Sequence, residues 1–357
     1  MFNEILKKTP YSIPQSEKEE MLLHGLNELS CWHYDNCLEY KNIIDGLWGG
    51  IRPYEELEDI PYLPVSLFKT QNLLSVPNEN VSITLTSSGT TGQVASKIFV
   101  DKETSSRQQK ALASSLQHVL GPKRLPMLII DTKDVFKSPA MMSARGAGVL
   151  GMMRYGRDHC FSLNPDLSPN LNEVYDFLKK LDGKPFFIFG FTFMVWLNFY
   201  EKFLDYGLDL SQGILIHSGG WKKMVEQSVD NITFKQKFEE HYKLKRVFNF
   251  YGMVEQIGSI FLEGKDGLLY PPNFTDVIVR NPITWEPCQI GEEGIIQVIS
   301  LIPKSYPGHS LLTEDMGIIE TINHGNGDRM GKGLKILGRI SKAELRGCSD
   351  IIAESSD

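Results

Sequence analysis

The chain of 357 residues has few cysteines, no excess of basic residues and no Cys-x-x-Cys pair. Its five cysteines are an odd number, which is typical of a protein in a reducing compartment rather than of a disulfide framework. Acidic residues outnumber basic ones by 44 to 37, so the formal charge is −7. Because such a chain has no global positive field, nucleic acid is excluded as its main partner, and an anionic substrate must be met by local donors.

Long apolar runs are also missing. The longest, Phe186–Tyr200, is interrupted by Thr192 and Asn198 and is shorter than the roughly 20 apolar residues of a membrane helix. The first residues lack the basic stretch and apolar run of a secretory signal, so we expect a cytoplasmic protein without a membrane span. A hydrophobic fraction of 41% and a charged fraction of 23% are typical of a folded globular protein.

What is present is an alternation of short apolar runs with amphipathic segments. Strands are predicted at 81–86, 127–130, 186–189, 214–216 and 247–250, and helices at 16–45, 103–120, 171–181, 192–204 and 234–242. This alternation predicts an α/β fold with a parallel sheet covered by helices. After Leu268 the helical pattern stops, and strands joined by Gly and Pro turns predict a small C-terminal β subdomain.

A loop of small polar residues follows the predicted strand 81–86. It consists of Ser87, Ser88, Gly89, Thr90, Thr91 and Gly92. Hydroxyl groups and a closely approaching backbone can donate hydrogen bonds to phosphate oxygens. The loop is not a Walker loop, because Val94 stands where that pattern requires its second glycine. Taken alone, the segment is explained better by a polar turn between a strand and a helix.

Further polar or aromatic segments follow later predicted strands, at the positions where α/β sheets bind ligands. They are Ser218-Gly219-Gly220, Tyr251-Gly252 with Glu255, Asp315 in a Thr-Glu-Asp segment, and Arg339 after a glycine. An aromatic ring suits a base, a carboxylate suits a cation or ribose hydroxyls, and an arginine supplies a fixed positive charge. Each segment alone is a weak signal.

The order of these segments resembles the adenylate-forming superfamily of acyl-CoA ligases, peptide-synthetase adenylation domains and luciferases. Within it, the chain resembles the LuxE-like acyl-protein synthetases, the long-chain-fatty-acid protein ligases. The resemblance extends from about residue 34 to the end. Besides the loops already named, it is carried by Pro64-Val65-Ser66-Leu67-Phe68-Lys69, Ser143-Ala144-Arg145-Gly146-Ala147-Gly148, His217 with Trp221-Lys222, and Glu344-Leu345-Arg346-Gly347-Cys348-Ser349.

This resemblance implies the adenylate-forming α/β fold and an ATP- and Mg²⁺-dependent ligase that forms an acyl-AMP. The loop of residues 87–92 would hold the β- and γ-phosphates. Tyr251 with Gly252 would lie on one side of adenine and residues 218–220 on the other. Glu255 would bind Mg²⁺, Asp315 would accept from the ribose hydroxyls, and Arg339 would lie near the ribose or the α-phosphate.

The resemblance also implies that Cys348 accepts the acyl group before it passes to a partner such as an acyl reductase. The candidate acid-binding residues are Arg145, Gly146, Phe191, Thr192 and His217. For Phe191 and Thr192 ordinary core packing is an equally good explanation, and His217 could contact the nucleotide, contact the acid or be a satisfied core histidine.

Three regions are expected: an ATP- and acid-binding region at 1–265, a β-rich region completing the nucleotide site at 266–338, and a short tail at 339–357. Only 18 residues follow Arg339. We therefore expect the usual C-terminal lid to be truncated, with Lys342 as a candidate for the lysine that such a lid carries.

Two other functions fit the same residues. An adenylating ligase could pass the acyl group to a carrier-protein thiol or to an amine, and a non-catalytic subunit could only bind the nucleotide.

Three patterns are interpreted as structural. These are the Gly-x-Gly-x-x-Gly match at 146–151, the Cys31, His33 and Cys37 group, and the two thiols of Cys160 and Cys288, which we place in the core.

Overall fold

The computed structural model describes residues 1–86, 95–136, 144–220, 228–323 and 329–340. The described residues form two compact units that alternate along the chain. The first unit contains residues 1–85, 95–107 and 270–340, and the second contains residue 86 and residues 108–269, within those bounds. The expected division of roles among 1–265, 266–338 and 339–357 stays a prediction.

The strands are numbered in chain order. They are β1 (Leu63–Pro64), β2 (Val81–Thr86), β3 (Lys97–Asp101), β4 (Leu125–Thr132), β5 (Gly156–Leu163), β6 (Phe186–Phe191), β7 (Gly213–Ser218), β8 (Arg246–Tyr251), β9 (Phe261–Glu263), β10 (Leu269–Tyr270), β11 (Thr275–Arg280), β12 (Glu293–Ser300), β13 (Ser310–Ile322) and β14 (Lys332–Arg339). The helices are α1 (Phe2–Ile5), α2 (Gln15–Asn36), α3 (Leu38–Trp48), α4 (Leu67–Thr70), α5 (Lys102–Leu120), α6 (Ala144–Met153), α7 (Leu171–Leu181), α8 (Thr192–Met194) and α9 (Asn231–Tyr242).

The second unit is built on a parallel sheet. Its strands lie in the order β5, β4, β6, β7, β8, with β9 added antiparallel to β8. Strands β6 and β7 are short apolar runs, and the side chains of β6 are nearly all buried, as expected for strands covered by helices. The predicted α/β class and its parallel sheet are therefore confirmed.

The core of this unit is aromatic. Phe199, Phe238 and Tyr242 are buried with Leu215 of β7 in one cluster that joins the sheet to its helices. The predicted helix 192–204 is helical only as far as Tyr200: α8 continues into a π-helix at Val195–Tyr200, and a short 3-10 turn follows at Leu204–Tyr206. π-Helical turns of this kind occur frequently at functional sites.

The first unit carries the antiparallel strands. β11, β12, β13 and β14 lie side by side, β1 pairs in parallel with β13, and β2 pairs with β3. Within residues 269–323 and 329–340 all regular elements are strands, which confirms the prediction that helices stop after Leu268. The side chain of Lys18 on α2 is buried and lies 3.4 Å from the Asp276 carboxylate of β11.

No helix in the described parts of the chain combines the length and the apolar character that crossing a membrane requires.

Candidate functional site

Polar and aromatic residues gather at the carboxyl ends of the parallel strands in the second unit. Phe191 of β6 pairs with Ser218 of β7, and Ser218 pairs with Phe250 of β8, so these strands end at one level. Asp131 lies two residues beyond the Ile129–Phe189 pair of β4 and β6 and so reaches the same level. Because parallel strands present their carboxyl ends at one edge, segments far apart in sequence meet there.

The Ser218–Gly220 loop begins in a fixed conformation. The Ser218 hydroxyl donates a hydrogen bond to the Phe250 carbonyl oxygen at 2.8 Å, which ties the end of β7 to β8. Gly219 has a φ of +87°, and a Cβ atom there would lie 3.3 Å from Phe191 Cδ1. A residue with a side chain would therefore be strained and crowded at this position. Gly220 is exposed and has open space around it.

Tyr251 ends β8 and is half-buried. It pairs with Phe261 of β9, and the two rings are 5.8 Å apart. At Gly252, a Cβ atom would come within 3.3 Å of Ile260 Cγ2, so a small residue fits best where the chain leaves the strand. Glu255 follows in the 3-10 turn Val254–Gln256 and is buried.

The Glu255 carboxylate is a chemically suitable ligand for Mg²⁺. In the described residues no three His, Cys, Asp or Glu side chains form a metal-binding group. Mg²⁺ does not need such a group, because it is commonly bound through one or two carboxylates together with substrate phosphates and water. The donor set therefore fits a Mg²⁺ ion that arrives with a nucleotide rather than a protein-enclosed metal site.

His217 is buried below the Ser218–Gly220 loop. Its Nδ1 lies 2.9 Å from the Thr192 hydroxyl, and its ring stacks on Phe234 with centroids 4.6 Å apart. Burial, followed by the nearby Lys235 charge, lowers the pKa of His217 to about 3, so the ring is neutral. Its Nε2 has no hydrogen-bond partner in the described parts of the chain. Thr192 and His217 are thus a hydrogen-bonded pair. A direct contact of His217 with the acid or the nucleotide stays a prediction.

Helix α6 carries the other acid-binding candidates, Arg145 and Gly146. The predicted helical packing of the glycines is seen at Gly148, where a Cβ atom would lie 2.7 Å from Phe191 Cζ. The Gly-x-Gly-x-x-Gly match therefore lies inside a helix that packs on the Phe191 ring, rather than in a strand-to-helix turn. Arg145 Nε lies 3.2 Å from Asp131 Oδ2, and Asp131 is a buried carboxylate that the sequence analysis did not select.

Asp315 and Arg339 lie together in the first unit. They face each other across β13 and β14, and Arg339 Nε is 3.5 Å from Asp315 Oδ1. The Asp315 amide donates to the Thr313 hydroxyl at 3.1 Å. The structure therefore places the two segments chosen from sequence side by side, and their roles toward ATP stay predictions.

The Pro64–Lys69 segment also lies beside β13. The Val65 amide donates to the Leu312 carbonyl oxygen at 2.9 Å, which extends the pairing of β1. Lys69 Nζ then lies 3.3 Å from Glu314 Oε1, next to Asp315 in the chain. Sequence reasoning gave Lys69 no role, although the apolar segment leading to a lysine was the available signal.

Several predicted residues fall outside the described part of the chain. They are the phosphate-loop residues Ser87, Ser88, Gly89, Thr90, Thr91 and Gly92, the lysine candidate Lys342 and the acyl acceptor Cys348. Their predicted roles are neither supported nor contradicted by the geometry.

The two cysteines placed in the core from sequence differ. Cys160 is buried, and burial raises the pKa of its thiol to about 12, so it is an unreactive core thiol as predicted. The prediction for Cys288 is wrong, because this residue is only half-buried. It lies in the loop between β11 and β12 directly after Pro287, where its Sγ is 3.5 Å from the Glu293 carbonyl oxygen. His33 is used structurally, since its Nδ1 lies 2.7 Å from the Ser75 hydroxyl.

Comparison with solved structures defines the class of the fold. The chain superposes on an open conformation of 2-hydroxyisobutyryl-CoA ligase, solved with 2-HIB-AMP and CoA, with a TM-score of 0.67 and 17% sequence identity over 93% of this chain and 77% of that one. The same ligase in its postadenylation state gives a TM-score of 0.66 at 16% identity, over 92% and 69% of the two chains. The fold is therefore that of the adenylate-forming ligases.

Sequence comparison gives the family. The family model described as "Acyl-protein synthetase, LuxE" matches residues 2–356, so this chain belongs to the acyl-protein synthetase family and is a ligase. It is 25% identical over 365 aligned positions to the long-chain-fatty-acid–luciferin-component ligase of Vibrio harveyi, covering 97% of this chain and 90% of that one. The ligase of the same name from Aliivibrio fischeri is 23% identical, with 93% and 88% covered.

Proposed function

We propose that this ligase activates a long-chain fatty acid with ATP and then carries the acyl group on its own Cys348. The family supports acid adenylation and acyl transfer, and the relatives are named as long-chain fatty-acid ligases. The single observation that carries the proposal in the structure is the meeting of Phe191, Ser218 and Tyr251 at the carboxyl ends of three adjacent parallel strands.

The first step makes the acid reactive. A carboxylate oxygen attacks the α-phosphorus of ATP, the bond to the bridging oxygen breaks, and pyrophosphate leaves. The product is a mixed anhydride, acyl-AMP. Negative charge builds up on the phosphorus oxygens during this step, so preorganised cationic and amide donors accelerate it.

The residues would divide this work by their chemistry. The loop of residues 87–92 would bind the β- and γ-phosphates, while Tyr251 and the Ser218–Gly220 loop would hold adenine. Glu255 would bind Mg²⁺, which supplies positive charge to the phosphates. Asp315 would accept from the ribose hydroxyls, and Arg339 would supply a cation near the ribose or α-phosphate.

The acid would be held by residues on α6, β6, α8 and β7. The Phe191 ring supplies an apolar wall, and Arg145 on α6 supplies a cation whose side chain is 32% exposed and so stays accessible to a ligand. Gly146 would allow close approach to α6, and the bonded pair Thr192 and His217 would support this wall.

The second step moves the acyl group to sulfur. The Cys348 thiolate attacks the acyl carbon, the C–O bond to AMP breaks, and AMP leaves. A thiol of ordinary pKa, about 8.5, is only a few per cent ionised at neutral pH, so a nearby cation would speed the step. The thioester would then be passed to a partner such as an acyl reductase.

Acid-dependent exchange of labelled pyrophosphate into ATP tests the first step, and hydroxylamine-sensitive labelling of the chain by radioactive acid tests the second. Fatty, aromatic and amino acids should be compared. We expect exchange with long-chain fatty acids, and we expect Cys348→Ser to keep the exchange and lose the label. The Cys160→Ser variant is the control and should keep both.

Other outcomes identify the alternatives. If Cys348→Ser remains labelled, or if acyl groups appear only on an added carrier protein or amine, self-acylation is wrong. If no acid in the panel supports exchange by the wild-type chain, the adenylation proposal is wrong, and the result favours a non-catalytic nucleotide-binding subunit.

A further inference from the structure

The Asp131 carboxylate is held in an unusual environment at the end of β4. Its side chain is completely buried. Oδ1 accepts a hydrogen bond from the Thr132 amide at 2.7 Å, whereas Oδ2 accepts no hydrogen bond from any residue that the structure describes. The only charge that approaches Oδ2 within the described residues is Arg145 Nε, at 3.2 Å. A buried carboxylate oxygen without a hydrogen bond is costly, so its retention calls for an explanation.

The partner of this carboxylate is placed quite differently. Arg145 lies in the first turn of α6 and keeps 32% of its side chain exposed. Its Nη1 lies 3.7 Å from Met194 Sδ, which is a weak acceptor. The terminal nitrogens of the guanidinium therefore make no ion pair with the described residues. In this ion pair only the Asp131 carboxylate is buried, whereas in an ion pair that belongs to a protein core both side chains are buried.

The location ties this pair to the acid-binding wall. Asp131 lies at the level of Phe191 in the sheet, and Gly148 packs against the Phe191 ring one turn after Arg145. A guanidinium presents separate N–H groups on different edges. Contact of Nε with a fixed carboxylate limits rotation of the side chain and leaves the terminal edge available for a second anion.

We propose that Asp131 is a positioning residue: it fixes Arg145 through Nε so that the terminal nitrogens of Arg145 receive the carboxylate of the acid substrate. This proposal rests on the proposed function, because it takes Arg145 as part of the acid site. It defines the ligand as an ionised acid, since two parallel N–H donors match a carboxylate and not an alcohol of the same chain length.

The test is a double-mutant cycle with Asp131→Asn, Arg145→Gln and the combined variant, measured by pyrophosphate exchange. We expect each single variant to raise the KM for the acid about tenfold or more, which corresponds to one charge-assisted hydrogen bond. The KM for ATP should stay unchanged. Because Asp131 acts through Arg145, the double variant should be no worse than Arg145→Gln alone.

A second measurement distinguishes positioning from stability. Competitive inhibition by a fatty alcohol of the same chain length should stay unchanged in all three variants, because an alcohol does not use the guanidinium. Asp158→Asn is the matched control, since Asp158 also pairs with an arginine, Arg157, but on the surface. That variant should leave both KM values unchanged.

Several results would overturn the proposal. Additive effects in the cycle, equal increases in the KM for ATP and acid, or a lower KM for the acid in Asp131→Asn would each exclude positioning through Arg145. If Asp131→Asn does not fold, Arg145→Lys replaces it as the test, because this variant leaves Asp131 in place but lacks the Nε contact. An unchanged KM for the acid in Arg145→Lys would then overturn the proposal. A wild-type chain without acid-dependent exchange overturns the proposed function, and this inference with it.

Discussion

Arg339 Nε lies 3.5 Å from Asp315 Oδ1, across two neighbouring antiparallel strands that the chain reaches 24 residues apart. The arginine side chain is 74% exposed and the aspartate is 20% exposed, so the pair is open to a ligand rather than locked in a core. Surface ion pairs contribute little to stability. The Asp315–Arg339 pair is more informative about function, because it brings a hydrogen-bond acceptor and a cation to one place.

Asp315→Asn tests whether this acceptor recognises ribose. A carboxylate that accepts from ribose hydroxyls should make the wild-type enzyme prefer ATP to 2′-deoxy- or 3′-deoxy-ATP. We expect Asp315→Asn to raise the KM for ATP about tenfold and to reduce that preference, as the loss of one hydrogen bond to a charged group predicts. Exchange kinetics with the nucleotides measure both effects. An unchanged preference would assign Asp315 to structure alone.

The adjacent glycines 219 and 220 provide a matched pair. Gly219 has a φ of +87°, whereas Gly220 has open space around it and no positive φ. We expect Gly219→Ala to lower the free energy of unfolding by about 1 kcal/mol or more, because a left-handed conformation is strained with a side chain. It should also raise the KM for ATP if the loop holds adenine.

Gly220→Ala is the control and should leave the free energy of unfolding nearly unchanged. Urea denaturation and exchange kinetics compare the two variants. Equal destabilisation by both substitutions would contradict the assigned backbone conformations.

Buried histidines predict a loss of stability in acid. Burial lowers the pKa of His217 and of His309 to about 3, from an ordinary value of 6.5. Between these values the unfolded chain binds protons that the folded chain does not, so stability is complete above pH 6.5 and falls as the pH drops toward 3. At pH 5 each of these two buried histidines therefore lowers the free energy of unfolding by about 2 kcal/mol.

Urea denaturation at pH 7.5, 6 and 5 measures this slope. Replacing His309 by Gln, which has no titrating side chain, should make the slope shallower. A stability that does not change between pH 7.5 and 5 would contradict neutral burial of these rings.

The buried charges of the first unit give a further prediction. Lys18 lies 3.4 Å from Asp276, and both side chains are essentially inaccessible to solvent. Lys332 Nζ lies 3.4 Å from the other oxygen of the same carboxylate. Asp276→Asn should lower the free energy of unfolding by roughly 3–5 kcal/mol, because it removes the buried anion beside Lys18 and leaves Lys332 with only the half-exposed Glu19 carboxylate.

Lys18→Met should lower the free energy of unfolding by less than Asp276→Asn does, because it removes one cation and leaves Lys332 paired with Asp276. Thermal and urea unfolding of the two variants decide the order. If Asp276→Asn were the milder change, the carboxylate could not be the anion that holds both lysines in place.

Much of the architecture follows from local patterns. Apolar runs bounded by turn residues predicted β4, β6, β7 and β8, and the amphipathic period predicted α7 and α9, because buried strands and surface helices leave different periodicities. The irregular helix after Phe191 was harder to predict. It is π-helical over Val195–Tyr200, with Trp196 and Phe199 buried in the aromatic cluster, and the apolar run gave no local signal that distinguishes a π-helix from an α-helix.

The resemblance carried by the order of motifs predicted the adenylate-forming fold and the acyl-protein synthetase family, which the comparisons confirm. It also selected the candidate site residues, whose roles stay predictions, because phosphate binding, aromatic stacking and metal binding each demand particular residue types. Tertiary structure decided which of those residues meet. It paired Arg145 with the unselected Asp131, set Lys69 beside Glu314 and left Cys288 half-buried, since strand register and burial depend on contacts between distant segments.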